Sequence, residues 1–174
     1  MGAIALLNGE KSYDVLDYAL CSVCNMTHRG AVDADGKTGD GSGVLTQIPR
    51  PLFAKALKAM GADKVDPERL AVGVFFLPQD DAAGAKSITE SAEAVVARRG
   101  MTVVGWREVP VNPEELGKIA TKTQPDIRHL LIDCPAEWDA EHYERQLYLC
   151  RRELEIEFGD VPNFYMPSFS GRLI

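Results

Sequence analysis

Hydrophobic and polar positions along the chain repeat with two periods, and each change of period marks an element. Met1–Leu7 is a short continuous apolar run and predicts a buried strand. Ser12 is placed to cap a helix whose inner face is traced by Leu16, Leu20, Val23, Cys24 and Thr27. His28-Arg29-Gly30 closes that helix, with cations at its negative end and then a glycine. Residues 31–43 form a loop rich in Gly and Asp. Val44–Ile48 predicts a strand, and Pro49-Arg50-Pro51 opens a second helix running through Met60.

The second half is more regular. Leu70–Leu77 predicts an apolar strand, and Ile88, Ala92, Val95 and Val96 mark the core face of a helix that runs to Arg99 and stops at Gly100. Met101–Val109 predicts a strand, Pro113–Lys122 a short helix and Ile127–Ile132 another strand. Tyr143, Leu147, Cys150, Leu154 and Phe158 fall at helical spacing on the longest helix. Its other face carries Glu141/Arg145 and Arg151/Glu155, i,i+4 pairs worth a few tenths of a kcal/mol each. Asn163–Ile174 reads as extended and ends without a terminating turn, the mark of a fragment. The class is mixed α and β, and alternation alone leaves the sheet parallel or antiparallel.

Composition narrows the function classes. With 174 residues, 45% of them hydrophobic, the chain can bury a real core as one domain. No apolar run approaches the roughly 18–20 residues of a membrane helix. Met1–Leu7 lacks the basic flank of a signal peptide, and Leu6 stands where a myristoylation signal wants Ser or Thr, so cytoplasm is the simplest reading. Nineteen basic and 26 acidic residues give a net charge of −7 with no basic stripe, which argues against nucleic acid.

Most candidate motifs have plain structural readings. Cys21-x-x-Cys24 lies mid-helix without a second ligand pair, which favours core packing over metal or redox chemistry. Asp33-Ala-Asp35-Gly-Lys37 opens like a calcium loop, but Lys37 and Val44 occupy ligand positions. Gly39-Asp40-Gly41-Ser42-Gly43 precedes a predicted strand and not a helix, which excludes a dinucleotide loop. Two readings stay open for it: a tight turn with positive φ, or close approach of main chain to a ligand. Arg29, at the mouth of this loop, can bind a carboxylate bidentately as well as end a helix. His129, His142, Trp106 and Trp138 read as structural. Residues 28–43 are thus the candidate site, and they hold no nucleophile.

The string from His28-Arg29-Gly30 through Thr38-Gly39-Asp40-Gly41-Ser42-Gly43 to Pro49 closely resembles the glutaminase region of the glutamate synthase large subunit. The similarity continues through Val72–Gln79, Val104–Pro110, Glu144–Tyr148 and Phe164–Arg172. The resemblance implies the first part of a class II glutamine amidotransferase domain over 1–174, with an N-terminal-nucleophile hydrolase fold. That fold is an α+β sandwich of two antiparallel sheets between helix layers (αββα), incomplete here. It implies an N-terminal cysteine that attacks the side-chain amide of glutamine, with its own α-amine as base. Met1-Gly2 aligns with the third residue of the family's start, so this cysteine falls two residues before Met1.

Carried over by position, Arg29 and Gly30 are the active-site pair beside the nucleophile. The resemblance implies that His28, Thr38, Gly39, Asp40 and Gly41 bind the glutamine substrate in the same pocket. The family's R-F-S-T carboxylate site and Asn-Gly oxyanion hole fall beyond Ile174. FMN and a 3Fe–4S cluster are expected on other parts of the full enzyme, with none in this chain. The expected partners are glutamine and the remaining domains or subunits of glutamate synthase. Two alternatives stay open: one subunit of a split enzyme, or a non-catalytic glutaminase-like binding or regulatory module.

Overall fold

The apolar stretch Ala71–Leu77 becomes the inner strand of an antiparallel sheet in the computed structural model, which describes residues 2–174. The chain divides into two units. One comprises Met1–Thr46 with Asn112–Lys122, the other Gln47–Val111 with Thr123–Ile174.

In the larger unit, strand β1 (Ala71–Leu77) is followed by strands β2 (Thr102–Glu108), β3 (Asp126–Asp133) and β4 (Tyr165–Ser170). They form one sheet in the order β2-β3-β1-β4, with every neighbouring pair antiparallel. One helix (Ala82–Arg98) links β1 to β2 and another (Ala140–Phe158) links β3 to β4, so each connection passes over a strand. This is a split βαββαβ arrangement.

Period-2 alternation sends β1 side chains into two cores. Ala71, Phe75 and Leu77 pack with Leu130 and Ile132 beneath the two crossover helices. Those helices contribute Ile88, Ala92, Val95 and Val96 from the first, and Tyr143, Leu147, Cys150, Leu154 and Phe158 from the second. Both sets are the faces that the helical spacing predicts. On the opposite side Val72 and Val74 join Leu70, Leu131 and the Phe53 and Leu57 side chains of the helix Arg50–Ala59. Burial on both faces explains why β1 reads as an unbroken apolar run. Gly73 is required where Phe169 crosses, since a Cβ there would lie 2.7 Å from its ring.

Polar bonds fix the end of β4. Glu144 accepts from Gly171 N at 2.6 Å and from Ser170 Oγ at 3.0 Å. The Arg50 guanidinium donates to the carbonyls of Pro67 at 2.8 Å, Leu70 at 2.6 Å and Gly171 at 2.5 Å. Among the described residues no helix is long and apolar enough to cross a membrane.

Several expectations are corrected. Of the strand expected over Met1–Leu7, Met1 lies outside the described residues, residues 2–6 carry no regular structure and Leu7 lies in a turn; an apolar run becomes a strand only when a ladder partner is present, and no described residue pairs with it. Val44–Ile48 is not a strand; a single bridge joins Gln47 to Leu173, with Ile48 N donating to Arg172 O at 3.1 Å. The helix expected over 113–122 is two 3₁₀ turns, Pro113–Glu115 and Ala120–Thr123, with Leu116 extended between them. The α+β class holds. The described strands form one sheet.

His129 of β3 is buried against the Phe53 ring, centroids 5.7 Å apart, with Arg107 Nη1 3.4 Å from its Nδ1. Burial first, and the Arg107 charge second, lower its pKa to about 4. Between about pH 6.5 and 4 the unfolded chain therefore binds a proton that the folded chain does not. Stability is expected to fall as pH drops through that window, by up to about 3 kcal/mol from this ring. Denaturant titrations at pH 7 and 4.5 check this: His129→Leu should lose less stability than the wild type on acidification, and equal losses would contradict it.

Candidate functional site

The smaller unit carries all the predicted site residues. Its helix α1 spans Tyr13–Asn25, and Ser12 Oγ accepts from Asp14 N at 3.1 Å, the cap that the sequence predicts. Val15, Leu16, Ala19 and Val23 are half-buried, and no residue of α1 is fully buried. Leu20 and Cys24, expected on the inner face, are exposed, as is Cys21, so core packing of the cysteines is not observed. The apolar stripe of the sequence is real, but nothing described in this unit seals it.

A 3₁₀ turn, Thr27–Arg29, follows α1. Thr27 Oγ1 donates to Cys24 O at 2.6 Å, and His28 Nδ1 lies 3.0 Å from Asn25 O. A carbonyl only accepts, so this contact puts the His28 proton on Nδ1. Arg29 is exposed and its guanidinium has no partner among the described residues. Gly30 leaves the turn in extended geometry, φ −84°, so it ends the helix without a left-handed conformation.

Beyond Gly30 the chain folds back on itself. Asp33 N donates to Thr38 O at 2.7 Å, Asp40 N to Ala31 O at 3.2 Å, and a bridge joins Val32 to Gly39. Asp40 Oδ2 also accepts from Ala31 N at 3.0 Å, so one aspartate holds Ala31 through main chain and side chain together. The Arg29-Gly30 pair is thereby anchored to Gly39-Asp40. The positive φ sits at Gly36, +70°, and at none of Gly39, Gly41 and Gly43. Gly39 answers a close approach within the chain: a Cβ there would lie 2.9 Å from Ala31 O. Gly41 and Gly43 face open space.

Asp35, which the sequence offers only within a calcium-like stretch, organises the tip. Its carboxylate accepts from Thr38 Oγ1 at 2.6 Å, Thr38 N at 2.7 Å, Lys37 N at 3.0 Å and Ile119 N at 3.2 Å. The Thr38 hydroxyl bond first, and then the amides of Thr38, Lys37 and Ile119, hold this carboxyl well below the usual range. Thr38 Oγ1 in turn accepts from Ala120 N at 3.3 Å, so the hydroxyl is engaged in the loop's own structure. Gly117 abuts Thr38 Oγ1, leaving no room for a side chain. The Asp35-x-x-Thr38 spacing, an acidic acceptor two to three residues before the amides it binds, was the available signal. Gly117 gave none, because its constraint comes from a residue far away in sequence.

Among the described residues no three His, Cys, Asp or Glu side chains gather where they could hold a metal ion. Two hollows in the larger unit, of about 440 and 340 Å³, contain none of the predicted site residues.

A family model for class-II glutamine amidotransferases matches residues 1–174. The chain is 38% identical over 175 residues to ferredoxin-dependent glutamate synthase 2 of Synechocystis, covering 100% of this chain and 11% of that protein. It is 35% identical over 178 residues to the glutamate synthase [NADPH] large chain of Bacillus subtilis, covering 100% of this chain and 11% of that protein. Against the glutamate synthase [NADPH] large chain of Azospirillum brasilense it is 33% identical over 176 residues, covering 100% of this chain and 12% of that one. The chain thus spans about a tenth of the length of these curated relatives.

Asp35→Ala removes the acceptor of four donors and should release the tip of the loop. Amide hydrogen exchange at residues 37–40 and 119–120 is expected to rise by about tenfold or more, the scale of one lost charged hydrogen bond. Unchanged exchange there would show that Asp35 does not hold the loop.

Proposed function

From the premise that the chain belongs to the class-II glutamine amidotransferases, we propose that it is the glutaminase region of a glutamate synthase and releases ammonia from glutamine. The observation that carries this reading is the unpartnered Arg29 guanidinium, held next to a hairpin that Asp40 pins at Ala31. A planar cation fixed at its base and free at its tip suits bidentate recognition of a carboxylate, which glutamine carries and a simple amide does not.

In this reading the nucleophile is a cysteine aligned two residues ahead of Met1, in a domain of the N-terminal-nucleophile hydrolase type. Its α-amine takes the thiol proton near neutrality, and the thiolate attacks the glutamine side-chain amide. The C–N bond breaks, the amine returns the proton, ammonia leaves and a thioester remains. Water then cleaves the thioester to give glutamate and the free thiol. Arg29 adds a second cation at the substrate carboxylate, beside the R-F-S-T segment expected beyond Ile174, and Gly30 lets the chain pass beside the nucleophile. Asp40 and Gly39 fix the wall they stand on, and Gly41 leaves open space for the ligand. His28 braces the turn through Asn25, and Thr38 shapes the loop through Asp35.

The ammonia is consumed elsewhere in the full protein, by reductive amination of 2-oxoglutarate in the cytoplasm. FMN and a 3Fe–4S cluster supply the electrons for that half of the reaction when bound there. The side chains of this chain do not fit the cluster. Cys134 and Cys150 are buried, Cys21 and Cys24 lie together on α1, and no three-thiolate set exists among the described residues.

Arg29→Ala in the full-length protein tests the reading. Loss of a bidentate charged contact is expected to lower kcat/KM for glutamine hydrolysis by about 30- to 100-fold, the equivalent of about 2–3 kcal/mol. Arg29→Lys should recover only part of it, since an ammonium cannot bind two oxygens in one plane. Steady-state glutamate release measures both variants. Wild-type rates in Arg29→Ala would remove Arg29 from the site.

A further inference from the structure

Cys21 and Cys24 are left unused by the proposed reaction. Both are free and exposed, near the C-terminal end of α1. A spacing of three residues puts them on one helix face, with Cα atoms about 5 Å apart, a span that a disulfide bridges. Their Cβ atoms, however, lie about 5–6 Å apart in a regular helix, whereas a disulfide needs about 3.5–4.5 Å. A bond between them therefore draws the last turns of α1 together by about 1–2 Å.

The next residues hang on those turns. Met26 N donates to Val23 O at 3.1 Å, and Thr27 Oγ1 donates to Cys24 O at 2.6 Å. His28 Nδ1 donates to Asn25 O at 3.0 Å and Arg29 N to Met26 O at 2.8 Å. Any change in pitch at residues 21–24 passes directly into the turn that carries His28 and Arg29.

We propose that Cys21 and Cys24 form a dithiol modification site that closes reversibly to a disulfide and thereby displaces the His28–Arg29 turn. The oxidant is a small-molecule disulfide. One cysteine, as thiolate, attacks it, forming a mixed disulfide and releasing one small thiol. The second cysteine attacks the mixed disulfide, closing the Cys21–Cys24 bond and releasing the other. Two electrons pass from the cysteine pair to the small disulfide, and the two cysteine protons end on the two released thiols. Excess dithiol reductant reverses both steps. Cys134 and Cys150 are buried and do not compete for the reagent.

Closure itself does not depend on the glutaminase reading; only its consequence for glutamine turnover rests on that reading. The test incubates the full-length protein with oxidised glutathione, maps disulfides by peptide mass and follows amide exchange at residues 25–30. A Cys21–Cys24 cross-linked peptide is expected, with exchange at 25–30 changed by about threefold or more. Dithiothreitol should restore it, and Cys24→Ser should show neither effect. Separate glutathione adducts without a cross-link, or a cross-link that leaves exchange at 25–30 unchanged, would overturn the proposal. Glutamine hydrolysis by the reduced protein is measured in parallel, so a failure of the glutaminase reading shows in that assay alone.

Discussion

Burial of β1 on both faces is the constraint from which the larger unit follows. A strand with apolar side chains on each side must be covered twice, and the chain covers it with two crossover helices below and the helix Arg50–Ala59 above. An inner strand must also be paired on both edges, which β3 and β4 accomplish. Pairing β4 requires its end to be held, and there the polar contacts concentrate. Glu144 binds Ser170 and Gly171, while Arg50 gathers three carbonyls including that of Gly171. Two stretches of the family resemblance, Glu144–Tyr148 and Phe164–Arg172, thus meet in space through one carboxylate.

The smaller unit is organised differently. It has little apolar burial, and charged side chains binding main-chain amides set its shape. Asp40 grips Ala31, and Asp35 gathers the amides of Lys37, Thr38 and Ile119. Carboxylate–amide bonds are directional and short in range, so they can shape a loop whose glycines leave room for a ligand. That division of labour leaves the Arg29 guanidinium exposed and without a partner among the described residues, beside a stiffened wall.

How much of this could be read beforehand depends on where each element finds its partners. The inner faces of the two crossover helices were legible residue by residue, because each helix packs its whole apolar stripe within its own unit. The same reasoning failed for residues 2–6 and 44–48, whose apolar character predicted strands that the described residues do not pair. It failed for Cys24 too, since helical spacing locates a face without stating what covers it. In the loop, the sequence leaves two readings for Gly39–Gly43, a turn with positive φ or close approach of main chain to a ligand, and the approach found at Gly39 is to Ala31 of the same chain. The positive φ of this loop lies at Gly36 and at none of Gly39, Gly41 and Gly43. Asp35 was visible only as half of an unconvincing calcium pattern, although its spacing to Thr38 already described the turn it makes.

The central claim is that this chain supplies the Arg29 side of a pocket whose nucleophile is an N-terminal cysteine. Labelling the full-length protein with an electrophilic glutamine analogue, followed by peptide mapping, tests it most directly. One modified residue is expected, an amino-terminal cysteine two positions ahead of Met1, with labelling suppressed by glutamine. Absence of such a label, or glutamine-insensitive labelling at Cys21 or Cys24, would contradict it.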